Sequence, residues 1–337
     1  MKGRNVLVAG GTGLIGANLT TRLKELGAVV RATFFSQPPP FHPELYRRCD
    51  FTLLEECIEA TKDMDDVFIC AAQTFGAKMM KESPTALVLP NLKINSGLLE
   101  ACRVNRVQRI LFISSSTVYQ EADYPIREDE LDLNKPTHDL YLGVGGMKRY
   151  IEQLAKFYAK RYDMKIAVVR PTNIYGPHDK FDDDKSHVLP ALIKRALRKE
   201  NPYIVWGTGN TVRDFIYVDD FVTNLIEILE RYCVCDPVNV SSGTSITIRE
   251  AVRVILKACD HTVVPQYDPA QPDAIPYRML SLLKFEALFG KRTRTSFEDG
   301  IRATVEWYRQ QADSGATSAE RALRKQKTLI NEAEKFL

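Results

Sequence analysis

The stretch Asn5-Val6-Leu7-Val8-Ala9-Gly10-Gly11-Thr12-Gly13-Leu14-Ile15-Gly16 decides the fold. Its first part is an apolar run of strand length. Glycines at positions 10, 13 and 16 then break the run, and Leu14, Ile15, Leu19, Leu23 and Leu26 recur near the helical interval as far as Gly27, a residue suited to ending a helix. Strand, glycine turn and helix in this order make a cradle for an anion. A tight turn needs glycine, a pyrophosphate must reach backbone N–H groups with no Cβ in the way, and the positive end of a helix favours negative charge. Gly10, Thr12, Gly13, Leu14, Ile15 and Gly16 are therefore the expected contacts of a dinucleotide.

Working outward, the same alternation repeats. Apolar strand-like runs occur at residues 28–35, 66–72, 109–114 and 165–170, with helical stretches around 91–104 and 147–162. Nearly continuous apolar strands separated by helices imply a parallel sheet covered on both faces. The expected fold is α/β, a Rossmann-type doubly wound parallel sheet with a smaller α/β C-terminal domain. Residues 1–170 form the dinucleotide domain, with 211–242 packing back on it. Residues 171–210 and 243–311 form the substrate domain, and 312–337 read as a polar tail or surface helix. Pro38-Pro39-Pro40 is a loop, because the alternation resumes beyond it.

Composition narrows the function. The 337 residues are 45% hydrophobic and 26% charged, with a net charge of +3, which suits a globular chain and gives no basic footprint for nucleic acid. No apolar run approaches the roughly 20 residues that span a bilayer. The run at residues 5–9 is also shorter than the about 7–15 residues of a signal-peptide core, so a cytoplasmic location is expected. Seven cysteines without a CxxC pair, and five histidines without ligand spacing, argue for incidental thiols and no metal. At the end of the second strand, Thr33-Phe34-Phe35-Ser36-Gln37 lacks the acid that would bind a ribose 2′-hydroxyl. That leans slightly to NADP over NAD, although no arginine sits at the tip, and both stay open.

Further motifs share one pattern: Asp50-Phe51, Ala71-Ala72-Gln73, Asn95, Ser114-Ser115-Ser116-Thr117-Val118-Tyr119, Lys148 with Glu152, and Arg170-Pro171-Thr172-Asn173-Ile174-Tyr175-Gly176-Pro177. Together with GGTGLIG the set resembles the extended short-chain dehydrogenase/reductases of the NAD-dependent epimerase/dehydratase family, from about residue 4 to residue 310. The segment from Ser186 to Ile193, Val205-Trp206-Gly207-Thr208-Gly209 and Arg213-Asp214-Phe215-Ile216-Tyr217 are similar to the GDP-L-fucose synthase-like branch. This resemblance implies a nucleotide-diphosphate sugar as substrate, a GDP-sugar favoured, and a homodimer. It implies that Asp50 and Phe51 flank the adenine, and that Ala71, Ala72, Gln73 and Asn95 line the cofactor. Lys148 would hold the nicotinamide ribose and Ser115 the reacting sugar oxygen. Thr117 and His187 stand where the branch keeps a Cys and His acid/base pair. Asn173, Arg195, Trp206 and Arg213 would hold the substrate's nucleotide and diphosphate.

One position departs from the pattern. The family's proton-exchanging tyrosine lies four residues before the lysine, and here that residue is Val144, in Tyr141-Leu142-Gly143-Val144-Gly145-Gly146-Met147-Lys148. On a continuous helix Tyr141 stands about 10.5 Å from Lys148 along the axis, too far to share a proton. The glycines are poor helix formers, so a helix starting near Gly146 would leave Tyr141 on a loop able to reach the site. Three readings remain: an epimerase, reductase or dehydratase using Tyr141, His187 or Thr117; a non-catalytic nucleotide-sugar or dinucleotide-binding protein; and another oxidoreductase chemistry on the same fold.

Overall fold

A computed structural model describes residues 1–74, 84–182, 186–271 and 275–314. The opening unit folds as its pattern requires: strand β1 (Asn5–Ala9), the glycine turn, helix α1 (Leu14–Glu25) and strand β2 (Val29–Phe34). There follow β3 (Tyr46–Arg48), α2 (Leu54–Thr61), β4 (Asp66–Ile69), α3 (Val88–Val104), β5 (Arg109–Ile113), α4 (Leu142–Tyr162) and β6 (Ile166–Pro171). These six strands, joined by β10 (Val238–Val240), form a seven-stranded sheet in the order β10-β6-β5-β4-β1-β2-β3. Every pairing in it is parallel. Val6, Val8, Leu111 and Val169 point into the core on one face, and Leu7, Ala9, Ile110 and Phe112 into the core on the other. This is the Rossmann-type sheet that the sequence leads one to expect.

The rest of the chain builds a second layer. Strands β7 (Asn173–Tyr175), β9 (Val212–Tyr217), β11 (Ser245–Thr247) and β13 (Tyr277–Arg278) form a small sheet, and β8 (Ile204–Trp206) pairs with β12 (Gln266–Asp268). Helices α5 (Val188–Leu197), α7 (Ile248–Ala258) and α9 (Phe297–Ser314) pack there around Tyr203, Phe215 and Ile255. The chain returns to the large sheet through α6 (Val218–Arg231), whose Phe221 and Leu225 enter the first core. Of residues 211–242, the strand at 212–217 therefore sides with the small sheet. Helix α8 (Leu283–Phe289) contributes Phe285 to the first core. The polar segment beyond Ser314 lies outside the described residues.

One local expectation is overturned. The helix carrying Lys148 begins at Leu142, not near Gly146, with Tyr141 as its N-cap residue. Close packing outweighs glycine's poor propensity. A Cβ on Gly145 would stand 2.4 Å from the carbonyl oxygen of Thr117, so only glycine lets this turn approach the end of β5.

The edge of the sheet away from the glycine turn is tied by one buried carboxylate. Asp66 at the start of β4 accepts hydrogen bonds from Arg4 Nε at 2.5 Å and from Arg109 Nε at 2.7 Å. Burial alone would raise its pKa, but the two guanidinium groups together hold it below the usual carboxylate value. A depressed folded-state pKa contributes stability that is present above the unfolded value and lost as pH falls through the folded one. Asp66→Asn is thus expected to cost about 1.5–3 kcal/mol at pH 7. Urea unfolding of both proteins should show this gap closing below about pH 4.

Candidate active site

In an all-parallel sheet the C-terminal strand ends share one edge, and the crevice outside them receives the ligand. At the end of β1, Gly10 has φ +85°, and a Cβ there would lie 2.6 Å from the Cα of Ala71. A Cβ on Gly16 would lie 2.1 Å from the carbonyl oxygen of Gly10, so glycine is required where helix and turn meet. Gly13 differs: its Cβ would meet nothing nearer than Gly10 O at 3.9 Å. It is the N-cap of α1, and no side chain caps that helix. No side chain competes for the first N–H groups of α1, the groups a pyrophosphate would take. The turn is braced from β2, where Thr33 accepts the N–H of Gly10 on its hydroxyl and that of Gly11 on its carbonyl. These residues fit a dinucleotide.

The other cofactor candidates divide. Ala71, Ala72 and Gln73 follow β4 at the same edge, and a residue absent from the sequence reading holds them. Buried Asn91 accepts the Gln73 N–H at 2.8 Å and donates to the Gln73 carbonyl at 2.9 Å. Asn95, one turn later, is buried and spends its amide on the Asn91 carbonyl. Asp50 is partly exposed, and hydrogen bonds from the Thr52 hydroxyl and N–H lower its pKa. Phe51 is in the core beneath it.

At the end of β5 three of the expected site residues, Ser115, Thr117 and Lys148, collect. Ser115 Oγ accepts from the Thr117 N–H at 3.1 Å and from the Thr117 hydroxyl at 3.0 Å, which leaves the Ser115 proton to donate outward. Lys148 Nζ donates to the Ile113 carbonyl at 2.7 Å and lies 4.7 Å from the Phe112 ring centroid. Desolvation lowers its pKa to about 8, against a smaller opposing pull from Glu152. Val144 stands one helical turn before Lys148 on the same face. Behind them, Arg170 pairs with Glu152 through two bonds of 3.0 and 2.7 Å, and Ser114 donates to Glu152 at 2.5 Å. Tyr141 is anchored by its N–H to the His138 carbonyl, with the His138 ring 5.9 Å away. His138 Nδ1 accepts the Leu140 N–H, so the proton of the neutral ring sits on Nε2.

The substrate candidates lie in the second layer. His187 is the N-cap residue of α5, half-exposed, with Nδ1 3.9 Å from the carboxylate of buried Asp179. Arg195 donates to Glu200 and to the Ile204 carbonyl, each at 2.6 Å, while Trp206 at the end of β8 is exposed. Asn173 donates to the Asp214 carbonyl at 3.1 Å. Arg213 is buried in β9, directly in register with Arg278 of β13. Sequence spacing gives no sign of Arg278, because a cross-strand register brings it here. Its side chain donates to the Gln120 carbonyl, in the loop that continues from Ser115, while its Nη2 is buried with no hydrogen-bond partner among the described residues. Burial lowers the Arg278 pKa, Tyr141 opposes that shift, and the like charge of Arg213 adds to it. The register brings two positive charges side by side at this point, one of them with an unsatisfied donor among the described residues.

A family model for the NAD dependent epimerase/dehydratase family matches residues 6–240. The chain belongs to that family. It is 29% identical over 335 residues to the GDP-L-fucose synthase of Escherichia coli (strain K12), which covers 93% of this chain and 99% of the relative. The fold is shared with a GDP-6-OMe-4-keto-L-xylo-heptose reductase from C. jejuni, with a TM-score of 0.82 and 19% identity, covering 92% of this chain and 99% of that one. It is shared too with a GDP-L-fucose synthetase from Naegleria fowleri bound to NADP, with a TM-score of 0.78 and 23% identity, covering 93% and 96%. The family is NAD dependent by its description. No helix among the described residues is long and apolar enough to cross a membrane, and none of their His, Cys, Asp and Glu side chains cluster as metal ligands.

Because the space at Gly13 is open, Gly13→Glu should fold normally while its carboxylate repels the phosphates. Dinucleotide binding measured by calorimetry should be lost at an unchanged melting temperature. Lys148 should titrate near pH 8, which ¹⁵N-lysine NMR, assigned with Lys148→Arg, will read directly.

Proposed function

We propose that this chain is an NAD(P)-dependent enzyme that exchanges hydride with a ring carbon of a nucleotide-diphosphate sugar, a GDP-sugar by preference, using a proton donor other than the usual tyrosine. The observation that carries the reading is the Arg213–Arg278 pair, of which Arg278 donates to Gln120 in the loop that continues from Ser115 and Thr117. A buried, incompletely bonded guanidinium stabilises nothing by itself and suits an anionic ligand. On this reading residues 1–170 serve the dinucleotide, and 171–210 with 243–311 serve the sugar nucleotide.

The bound dinucleotide would supply or accept hydride. Ser115 offers its free O–H as a hydrogen bond to the reacting sugar oxygen, and Thr117, donating to Ser115, holds that hydroxyl in this orientation. Lys148 supplies positive potential beside it. Val144 exchanges no proton. Tyr141 is fixed at the helix N-cap, about 10.5 Å along the axis from Lys148 and too far to share its proton, so His187 or solvent is the proposed proton partner at the redox carbon. His187, oriented by Asp179, serves any carbon acid/base step. Trp206, Asn173 and Arg195 complete the nucleotide pocket, and Arg195 must exchange Glu200 for the ligand to do so. Thr117 in place of a thiol weakens 3,5-epimerisation, so reduction of a keto sugar is the favoured outcome. The exposed Leu89 on α3 and Leu142, Tyr150 and Phe157 on α4, two helices that pack together, support a homodimer through that face.

Val144 favours one second reading, a sugar-nucleotide-binding protein without turnover. Product analysis over a panel of nucleotide-diphosphate keto sugars with NADPH separates the two. Turnover that falls at least about tenfold in His187→Asn, with Tyr141→Phe close to wild type, supports the enzyme, since removing one positioned acid or base typically costs 10² or more. Turnover that emerges only in Val144→Tyr supports the binder. Arg278→Gln and Arg213→Ala should each weaken GDP-sugar binding by about 1.5–3 kcal/mol, with dinucleotide affinity unchanged.

A further inference from the structure

The arginine that the β2 tip lacks arrives from the neighbouring strand. Strands β2 and β3 pair in parallel with Ala32 opposite Tyr46, Thr33 opposite Arg47 and Phe34 opposite Arg48. Side chains in register on adjacent strands share a face, and successive residues alternate. Tyr46 marks the face, since its hydroxyl donates to the carbonyl of Gly11 in the glycine turn. Phe34 and Arg48 therefore lie on the side of β2 and β3 that carries the turn, and Arg47 lies on the other. Phe34 stands at the strand end where an NAD-binding chain carries its ribose-binding acid. Arg48 is exposed, its guanidinium 5.1 Å from the centroid of the Phe35 ring, and it forms no salt bridge with a described residue. Its charge, with that of Lys93, helps lower the pKa of Asp50 at the adenine end of the crevice.

We propose that Arg48, held over Phe35, is the residue that selects NADP, its guanidinium pairing with the 2′-phosphate of the adenosine ribose. This rests on reading the 10–16 turn as the dinucleotide site. A planar guanidinium stacked on an aromatic ring keeps its N–H edges free for phosphate oxygens. No acid at residues 33–37 competes for it or repels the phosphate.

The test is calorimetric titration with adenosine 2′,5′-bisphosphate and with 5′-AMP, which needs no turnover and no sugar substrate. Wild type is expected to bind the bisphosphate more tightly. Arg48→Ala should remove about tenfold or more of that preference while 5′-AMP affinity stays within about twofold, as expected for one charge-assisted contact. Arg48→Lys should keep part of the preference, and Arg47→Ala, with the same charge loss on the other face, should keep all of it. Equal binding of both ligands by wild type, or an unchanged preference in Arg48→Ala, overturns the assignment. Failure of wild type to bind either ligand would overturn it along with the dinucleotide reading of the glycine turn.

Discussion

The site depends on a buried ion pair, Glu152 with Arg170, whose side chains are 5% and 4% exposed. Either charge alone in that interior would cost several kcal/mol, so the pair persists only because its geometry is complete. Glu152 takes two bonds from Arg170 and one from Ser114. Arg170 also donates to Tyr119, whose hydroxyl donates to Asn239 of β10. The network joins β5, α4, β6 and β10 at one point and fixes the rotation of α4 about its axis. Lys148, one turn before Glu152, is then forced to the end of β5. Ser115 follows Ser114 in extended backbone, so the bond that turns Ser114 inward turns Ser115 outward.

That constraint explains why a valine at 144 leaves the architecture intact. The helix is held by its interior face, at Glu152, and by the glycine contact at 145, and neither needs a phenol. The residue at 144 is thus separable from the scaffold that carries it. Positions 115, 117 and 148 stay in one cluster because backbone carbonyls and the ion pair place them, not because they bond to residue 144.

Much of this was legible in the sequence because the signals are periodic or local. The 10–16 turn, the order of the first six strands and the end of β5 with its serines follow from runs of apolar residues and from glycine chemistry. Local propensity places the start of α4 too late, because glycine's low propensity is a local property while the contact of Gly145 with Thr117 is a tertiary one. Asn91, Arg278 and Arg48 escaped for a related reason. Asn91 acts on a loop that precedes its helix by many residues. The two arginines gain their significance from cross-strand registers, with Arg213 and Phe34 respectively, and such registers leave no spacing in the chain. Arg195 was found by motif, but its bond to Glu200 is visible only in three dimensions.

The knot of Arg4, Asp66 and Arg109 lies at the opposite edge of the sheet from the crevice and binds the starting ends of β1, β4 and β5. Stability and chemistry are thereby drawn from different edges of the same strands. Substitutions among the crevice loops leave the knot untouched, so their energetic consequences do not compound with it. A side chain at the crevice edge can therefore change without loosening the joint that holds the strand starts together.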